Sequence, residues 1–229
     1  LKKYLNKIDI FISVNSKNAR ILKEDYLIKE SKIIIIPNAP DRKIFFKKNF
    51  FKCREKLNFN LKKKYILFVG SLTKRKGFDI YLKLAIKNPN FNFIAIGRDS
   101  EKIIPKIKNI GNISCIGPQS QEIIADYMNA SNLFAFFSRQ EGSPNALLEA
   151  KATNLPILCS DIDEHRELLG SDNAFYTSLK KLEYFDDLNM IFKSEKYKIL
   201  GQNSKVDQET SFEKRAEKIL KIIYKNLKK

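Results

Sequence analysis

Residues 138–149, with the sequence Ser-Arg-Gln-Glu-Gly-Ser-Pro-Asn-Ala-Leu-Leu-Glu, combine side chains and a backbone pattern that suit anion binding. They follow an apolar run typical of a buried strand, and we expect Ser143 to cap a helix whose first residue is Pro144. The free N–H groups at a helix start attract phosphate. Glu141 in the loop and Glu149 in the helix would border that site, where carboxylates accept hydrogen bonds from hydroxyl groups.

A second candidate segment, residues 68–79, joins a strand to a helix through a basic loop. Gly70 ends the apolar run, and the loop then carries Lys74, Arg75 and Lys76. Cations at such a position can neutralise a diphosphate leaving group. A basic loop by itself is usually a solvated surface feature, but its place after a glycine-terminated strand favours a binding role.

Glycines follow three apolar runs of this glycine-poor chain, at positions 70, 97 and 117. Strands that are apolar on both faces and alternate with helices predict an α/β fold with a Rossmann-like, doubly wound parallel sheet. The glycines would then mark the carboxyl ends of strands, where open α/β sheets bind ligands. The predicted strands are residues 65–69, 91–96, 112–116, 132–137 and 156–159, and the predicted helices include residues 78–87 and 121–130.

The ends of the chain differ from this core. Residues 9–14 and 32–36 read as two further strands, followed by the turn signal Pro37-Asn38-Ala39-Pro40. We expect residues 1–40 to be the end of a preceding domain and its linker, and residues 41–205 to form the Rossmann-like domain. Residues 206–229 would form a helix that packs back toward the preceding domain, with a capping box opening at Thr210. Because the chain starts at Leu1 inside a helical pattern, we expect more sequence upstream.

The chain has 43 Lys+Arg against 26 Asp+Glu, a net charge of +17. The lysines are spread along the whole sequence, so we interpret the excess mainly as residue usage and secondly as peripheral contact with an anionic membrane. No basic and aromatic residues interleave as in a single-strand groove, and we expect no nucleic-acid partner. No apolar run approaches the roughly 20 residues of a membrane span.

The three cysteines do not form a disulfide framework or a metal cluster. Cys115 and Cys159 lie in apolar runs and read as small buried side chains. This usage favours a reducing, cytoplasmic setting, including the cytoplasmic face of the membrane.

The order of motifs resembles the retaining glycosyltransferases of family four, or glycosyl transferases group 1. The motifs are Pro-Asn-Ala-Pro-Asp, Gly-x-Leu with a later Lys-Gly, Gly-Pro at 117, Glu-Gly-x-Pro-x-x-x-x-Glu-Ala, Leu-Pro-Ile and His-Arg-Glu-Leu. The two glutamates separated by seven residues are the most specific element. The resemblance implies that the chain is the C-terminal, donor-binding half of a GT-B fold, and that the missing N-terminal domain carries most of the acceptor site.

By this resemblance, Lys76 would bind the donor diphosphate and Glu141 the transferred sugar, so these two are the candidate catalytic residues. Glu149 would hold the ribose, and the loop after Ile116 would face the base. The family often has an arginine where this chain has Ser71. The candidate donor-binding residues are Gly70, Ser71, Arg75, Lys76, Gly117, Gln119, Glu141, Gly142, Ser143, Pro144, Asn145, Ala146 and Glu149.

The resemblance implies transfer of a sugar, with retained anomeric configuration, from a UDP- or GDP-linked donor to a glycan or lipid-linked acceptor. It implies no metal or other cofactor. We hypothesise that Arg75 replaces the arginine absent at Ser71. His165, the only histidine, is a candidate general base, but we interpret it as a structural residue at a helix start, and Glu167 as a structural anchor. The alternatives are a nucleotide-sugar epimerase of GT-B fold and a basic, non-enzymatic module that binds nucleic acid or anionic membrane.

Overall fold

A parallel sheet of six strands forms the centre of the computed structural model, which describes residues 2–5, 7–182, 184, 186–202 and 211–227. Five of its strands were predicted, and α-helices connect them along the chain except between β4 and β5, where a short 3-10 helix, Ile104–Ile107, lies instead. The strands are β1 Phe11–Ser13, β2 Ile33–Ile35, β3 Tyr65–Val69, β4 Asn92–Ile96, β5 Ile113–Gly117, β6 Leu133–Phe136, β7 Ile157–Ser160 and β8 Phe175–Thr177. The helices are α1 Lys2–Leu5, α2 Ser16–Glu24, α3 Phe50–Lys56, α4 Phe78–Lys87, α5 Gln121–Ala130, α6 Asn145–Ala152, α7 Asp163–Leu169, α8 Asn189–Lys193, α9 Glu195–Gln202 and α10 Phe212–Leu227.

The strand order in the large sheet is β5-β4-β3-β6-β7-β8, and every neighbouring pair is parallel. All residues of β3, β6 and β7 are buried, because helices cover both faces of the sheet. The chain direction across the sheet reverses between β3 and β6, which makes the gap between their carboxyl ends a topological switch point. The predicted fold class is therefore confirmed, and the two candidate segments follow the two strands that flank this switch point.

Two predicted helices, residues 78–87 and 121–130, match α4 and α5 at both ends. The predicted start of α6 is wrong by one residue: Pro144 is extended and precedes the helix, and Asn145 begins it. The Ser143 hydroxyl does not cap α6, because it accepts a hydrogen bond from the Asn38 N–H at 3.3 Å. Cys159 is fully buried as predicted, whereas Cys115 is only half-buried because β5 lies at the sheet edge.

Residues 1–40 contain a separate two-stranded parallel sheet of β1 and β2, connected by α2. Ile12 and Ile35 of this small sheet are 38% and 39% exposed. The boundary of a preceding domain near residue 40 stays a prediction.

Helix α10 begins against the linker that follows β2. The Phe212 N–H donates to the Pro40 carbonyl at 3.1 Å, and Arg215 Nε donates to the Pro37 carbonyl at 2.9 Å. The Ser211 hydroxyl accepts from the Lys214 N–H at 3.2 Å and caps the helix, whereas Thr210 lies outside the described residues. Packing of α10 toward a preceding domain stays a prediction. Among the described helices, none combines the length and apolarity that a bilayer span requires.

Candidate functional site

The loops after β3 and β6 meet at the switch point. The carbonyl oxygen of Arg75 accepts hydrogen bonds from the Arg139 N–H at 3.0 Å and from the Ser138 hydroxyl at 3.1 Å. The Arg139 guanidinium also forms two bonds with the Asp79 carboxylate, at 2.8 and 2.7 Å. These contacts join the basic loop and the 138–149 segment into one surface at the carboxyl edge of the sheet.

Gly77 allows the basic loop to lie directly on β6. It has φ +76°, and a Cβ there would lie 1.9 Å from the Phe137 carbonyl oxygen, so no side chain can be accommodated. The preceding residue, Lys76, is consequently held beside the loop that follows β6.

Lys76 and Glu141, the two candidate catalytic residues, form an ion pair. The Lys76 ammonium donates to both carboxylate oxygens of Glu141, at 2.6 and 2.9 Å. The side chains are only 19% and 6% exposed, so water screens this pair poorly. The ammonium also lies 5.6 Å from the centre of the Phe136 ring. A bound diphosphate would therefore have to compete with Glu141 for Lys76.

The start of α6 presents unpaired backbone donors next to this ion pair. Within the part of the chain that the structure describes, the N–H groups of Gly142, Ser143, Asn145 and Ala146 have no hydrogen-bond partner. Pro144 contributes no N–H but fixes the turn into the helix. Free donors at a helix start, with the helix dipole behind them, form a site for phosphate or sugar oxygens.

Glu149 projects from the second turn of α6. The residue is half-buried, and its carboxyl group has no hydrogen-bond partner among the described residues. Burial raises its pKa from 4.5 to about 7. A partly buried carboxylate without a partner is unfavourable unless a donor reaches it, and ribose hydroxyl groups are donors of the required kind.

The other predicted donor-binding residues lie at the carboxyl ends of β3 and β5. Gly70 directly follows β3 and Gly117 is the last residue of β5, and the Gly97 N–H donates to the Gly117 carbonyl at 3.1 Å. The Gln119 amide lies 3.5 Å from the Ile116 carbonyl. Gln119 is therefore close to the end of β5, in the loop that was predicted to face the base. Ser71 also lies at this edge. The contact of these residues with a nucleotide stays a prediction.

Arg98 is a residue of this edge that the sequence interpretation missed. The pairing of Val69 with Ile96 places Arg98 beside Ser71, and the Leu72 N–H donates to the Arg98 carbonyl at 2.9 Å. Its guanidinium is exposed and has no partner in the described ranges, whereas Arg75 lies 3.5 Å from the Gln140 carbonyl. The sequence feature that could have identified Arg98 is its position. It comes directly after Gly97 at the end of an apolar run, just as Ser71 comes directly after Gly70.

His165 is fully buried at the start of α7. Its Nδ1 lies 2.9 Å from the Ser160 carbonyl, and burial lowers its pKa. Nε2 has no partner in the described structure. This environment fits the predicted structural role. Glu167 acts as the predicted anchor, because its carboxylate accepts from the Ser16 N–H at 3.0 Å and from the Ser16 hydroxyl at 2.8 Å.

In the described part of the chain, no three His, Cys, Asp or Glu side chains come together as a metal-binding group. Independence from metal ions and other cofactors stays a prediction.

Comparison with known proteins first identifies the fold class. HepE of Anabaena, a structure solved in complex with UDP-glucose, superimposes with a TM-score of 0.80 at 15% identity, over 95% of this chain and 64% of that one. The chain thus has an architecture of the GT-B type. The chain belongs to the family glycosyl transferases group 1, whose model matches residues 49–206.

Two named relatives are similar to the chain over most of its length. An uncharacterized glycosyltransferase of Methanocaldococcus jannaschii is 26% identical over 69% of this chain and 41% of the relative. The N,N'-diacetylbacillosaminyl-diphospho-undecaprenol alpha-1,3-N-acetylgalactosaminyltransferase of Campylobacter jejuni is 26% identical over 86% of this chain and 55% of the relative. The chain thus spans about half the length of these relatives.

Proposed function

We propose that this protein is a retaining glycosyltransferase that transfers a sugar from a nucleoside diphosphate to a glycan or lipid-linked acceptor in polysaccharide or glycoconjugate synthesis. The chain supplies the donor-binding half of the cleft. The observation that carries the proposal is the convergence of Lys76, Glu141 and the free N–H groups of the α6 start at the switch point. The named C. jejuni relative, which uses a lipid-linked acceptor, supports the acceptor class.

The site suggests how the leaving diphosphate is stabilised. When the donor binds, Lys76 exchanges the Glu141 carboxylate for a phosphate oxygen, and the α6 N–H groups bind further oxygens of the donor. Glu141, released from the ion pair, then accepts hydrogen bonds from the sugar hydroxyls. The bond between the anomeric carbon and the phosphate oxygen breaks as the acceptor hydroxyl oxygen bonds to the same face of that carbon, which retains the anomeric configuration. The hydroxyl proton passes to the departing diphosphate oxygen.

Calorimetric titration of the protein with UDP, GDP and uridine tests donor binding. We expect one diphosphate to bind, and uridine to bind at least about tenfold more weakly because it lacks the phosphate contacts. Absence of binding by both diphosphates to a protein with an intact circular dichroism spectrum would contradict the proposal. UDP is the first candidate, because HepE was solved with UDP-glucose.

The transfer assay uses a protein that carries both halves of the proposed cleft. We expect sugar transfer from the bound donor to a diphospho-undecaprenol-linked acceptor, with retained configuration by NMR of the product and no loss of rate in EDTA. An inverted product would rule out the retaining mechanism but not the transfer. The acceptor lipid and the +17 net charge favour peripheral contact with an anionic membrane at its cytoplasmic face.

A further inference from the structure

Two asparagines from the 1–40 segment hold two carbonyl groups of the donor-binding loop. Asn15 follows β1 and Asn38 follows β2, so both lie at the carboxyl edge of the small sheet. Asn15 Nδ2 donates to the Gly142 carbonyl at 2.5 Å, and Asn38 Nδ2 donates to the Ser143 carbonyl at 3.1 Å. These contacts connect positions more than 100 residues apart.

The orientation of the Asn15 amide is fixed by its other half. Its Oδ1 accepts a hydrogen bond from the Asn18 N–H at 2.7 Å and caps α2. The oxygen is thereby committed to the helix, and the NH2 group must face Gly142. The residue is only 3% exposed, so water does not replace this contact readily.

The contact determines where an N–H group of the loop points. The described peptides are all trans, so the carbonyl of Gly142 and the N–H of Ser143 point in opposite directions. Holding the carbonyl toward Asn15 therefore directs the unpaired Ser143 N–H away from the small sheet. Asn38 holds the carbonyl of the next peptide, whose nitrogen belongs to Pro144 and carries no hydrogen. It also donates to the Asn145 side chain at 3.0 Å, at the first residue of α6, so it holds the turn that leads into the helix.

We propose that Asn15 and Asn38 are positioning residues of the donor site. Asn15 orients the free Ser143 N–H for the donor phosphate or sugar, and Asn38 holds the turn that leads to the free N–H groups at the start of α6. This inference rests on the proposed function. It makes donor binding depend on the placement of the small sheet: a shift of β1 and β2 relative to α6 would turn the loop peptides and weaken the site.

The test compares UDP binding, or GDP binding if only GDP binds the unmodified protein, between variants of two helix-capping asparagines. Asn15→Ser and Asn15→Asp keep a capping oxygen for α2 but remove the NH2 group that donates to Gly142, and the serine side chain is shorter than that of asparagine. Asn49 caps α3 in the same way, accepting from the Lys52 N–H at 3.0 Å, and no contact links it to the loop. Asn49→Ser and Asn49→Asp are therefore matched controls.

We expect both Asn15 variants to bind the diphosphate about tenfold more weakly, since a buried hydrogen bond is lost. Uridine affinity should not change, because its contacts lie elsewhere; a general loss of structure would lower both. Asn38→Ser should also weaken diphosphate binding. Because Asn38 is only half-buried, this variant keeps the test available if the Asn15 variants fold poorly. The Asn49 variants should match the unmodified protein.

Unchanged diphosphate affinity in Asn15→Ser and Asn38→Ser would overturn the positioning role alone. An effect in Asn15→Asp without one in Asn15→Ser would also overturn it, because added negative charge would then be the cause. Failure of the unmodified protein to bind either diphosphate would overturn the proposed function as well.

Discussion

Replacing Glu149 by glutamine should change stability and donor binding in opposite directions. Burial raises the pKa of this carboxyl from 4.5 to about 7, so the folded state keeps a proton that the unfolded state releases between those pH values. In this window the folded state binds more protons, and the free energy of unfolding falls as pH rises. Glu149→Gln keeps the shape of the side chain but removes its charge. The free energy of unfolding of the variant should therefore not show this fall with pH.

The size of the effect follows from the shift in pKa. A rise from 4.5 to about 7 corresponds to a destabilisation of about 3 kcal/mol above neutral pH, at about 1.4 kcal/mol per pH unit. The stability advantage of Glu149→Gln should therefore be near zero at about pH 4 and should approach about 3 kcal/mol at about pH 8. Other carboxyl groups titrate equally in both proteins and cancel in the difference.

Urea unfolding of both proteins at a series of pH values measures this difference, with calorimetry of UDP or GDP binding beside it. We expect the variant to be more stable at high pH and to bind the diphosphate more weakly, since a carboxylate accepts ribose hydroxyls better than an amide. A stability difference that does not vary with pH would refute the reasoning, because it would show that Glu149 titrates normally.

Three further predictions address the loops. Glu141→Gln should tighten diphosphate binding several-fold in calorimetry, because Lys76 no longer needs to leave a carboxylate, while sugar transfer is lost. Arg98→Ala should weaken UDP binding about tenfold, and more than Arg75→Ala, because its guanidinium has no competing partner in the described structure. Gly97→Ala should lower the unfolding free energy by about 3 kcal/mol or more in urea, since its Cβ would lie 1.9 Å from the Gly70 carbonyl at φ +153°.

Each of these has a contrary outcome. Weaker diphosphate binding in Glu141→Gln would show that the carboxylate does not compete for Lys76. A larger loss in Arg75→Ala than in Arg98→Ala would support the original hypothesis for Arg75. Gly111→Ala, where no atom lies within 4 Å of the added carbon, is the control for the glycine substitution and should leave stability nearly unchanged.

Local pattern was sufficient for the buried elements. Strand β3 and helices α4 and α5 have the predicted bounds, because their apolar residues face a core on both sides of the sheet and few other patterns produce such runs. Strand β8 was not predicted. It has only three residues, too few for a periodic signal to distinguish it from a loop.

The contacts of the site depend on strand order, which the sequence does not display. Lys76 meets Glu141 only because β3 and β6 are neighbours although β4, β5 and their connections separate them along the chain. The prediction that Ser143 caps α6 was wrong for the same reason, a contact between distant parts of the chain. The Ser143 hydroxyl accepts a hydrogen bond from the Asn38 N–H instead. Local rules identify candidate residues, and long-range contacts then decide their roles.

The small sheet has a consequence for handling the chain by itself. In the described structure β1 pairs only with β2, so each strand has one edge whose backbone donors and acceptors are not paired in the sheet. Such edges template aggregation. The net charge of +17 keeps separate molecules apart, but salt screens that repulsion within about 10 Å at 0.1 M ionic strength. Dilute salt should therefore keep the isolated chain monodisperse, and concentrated salt should promote its association.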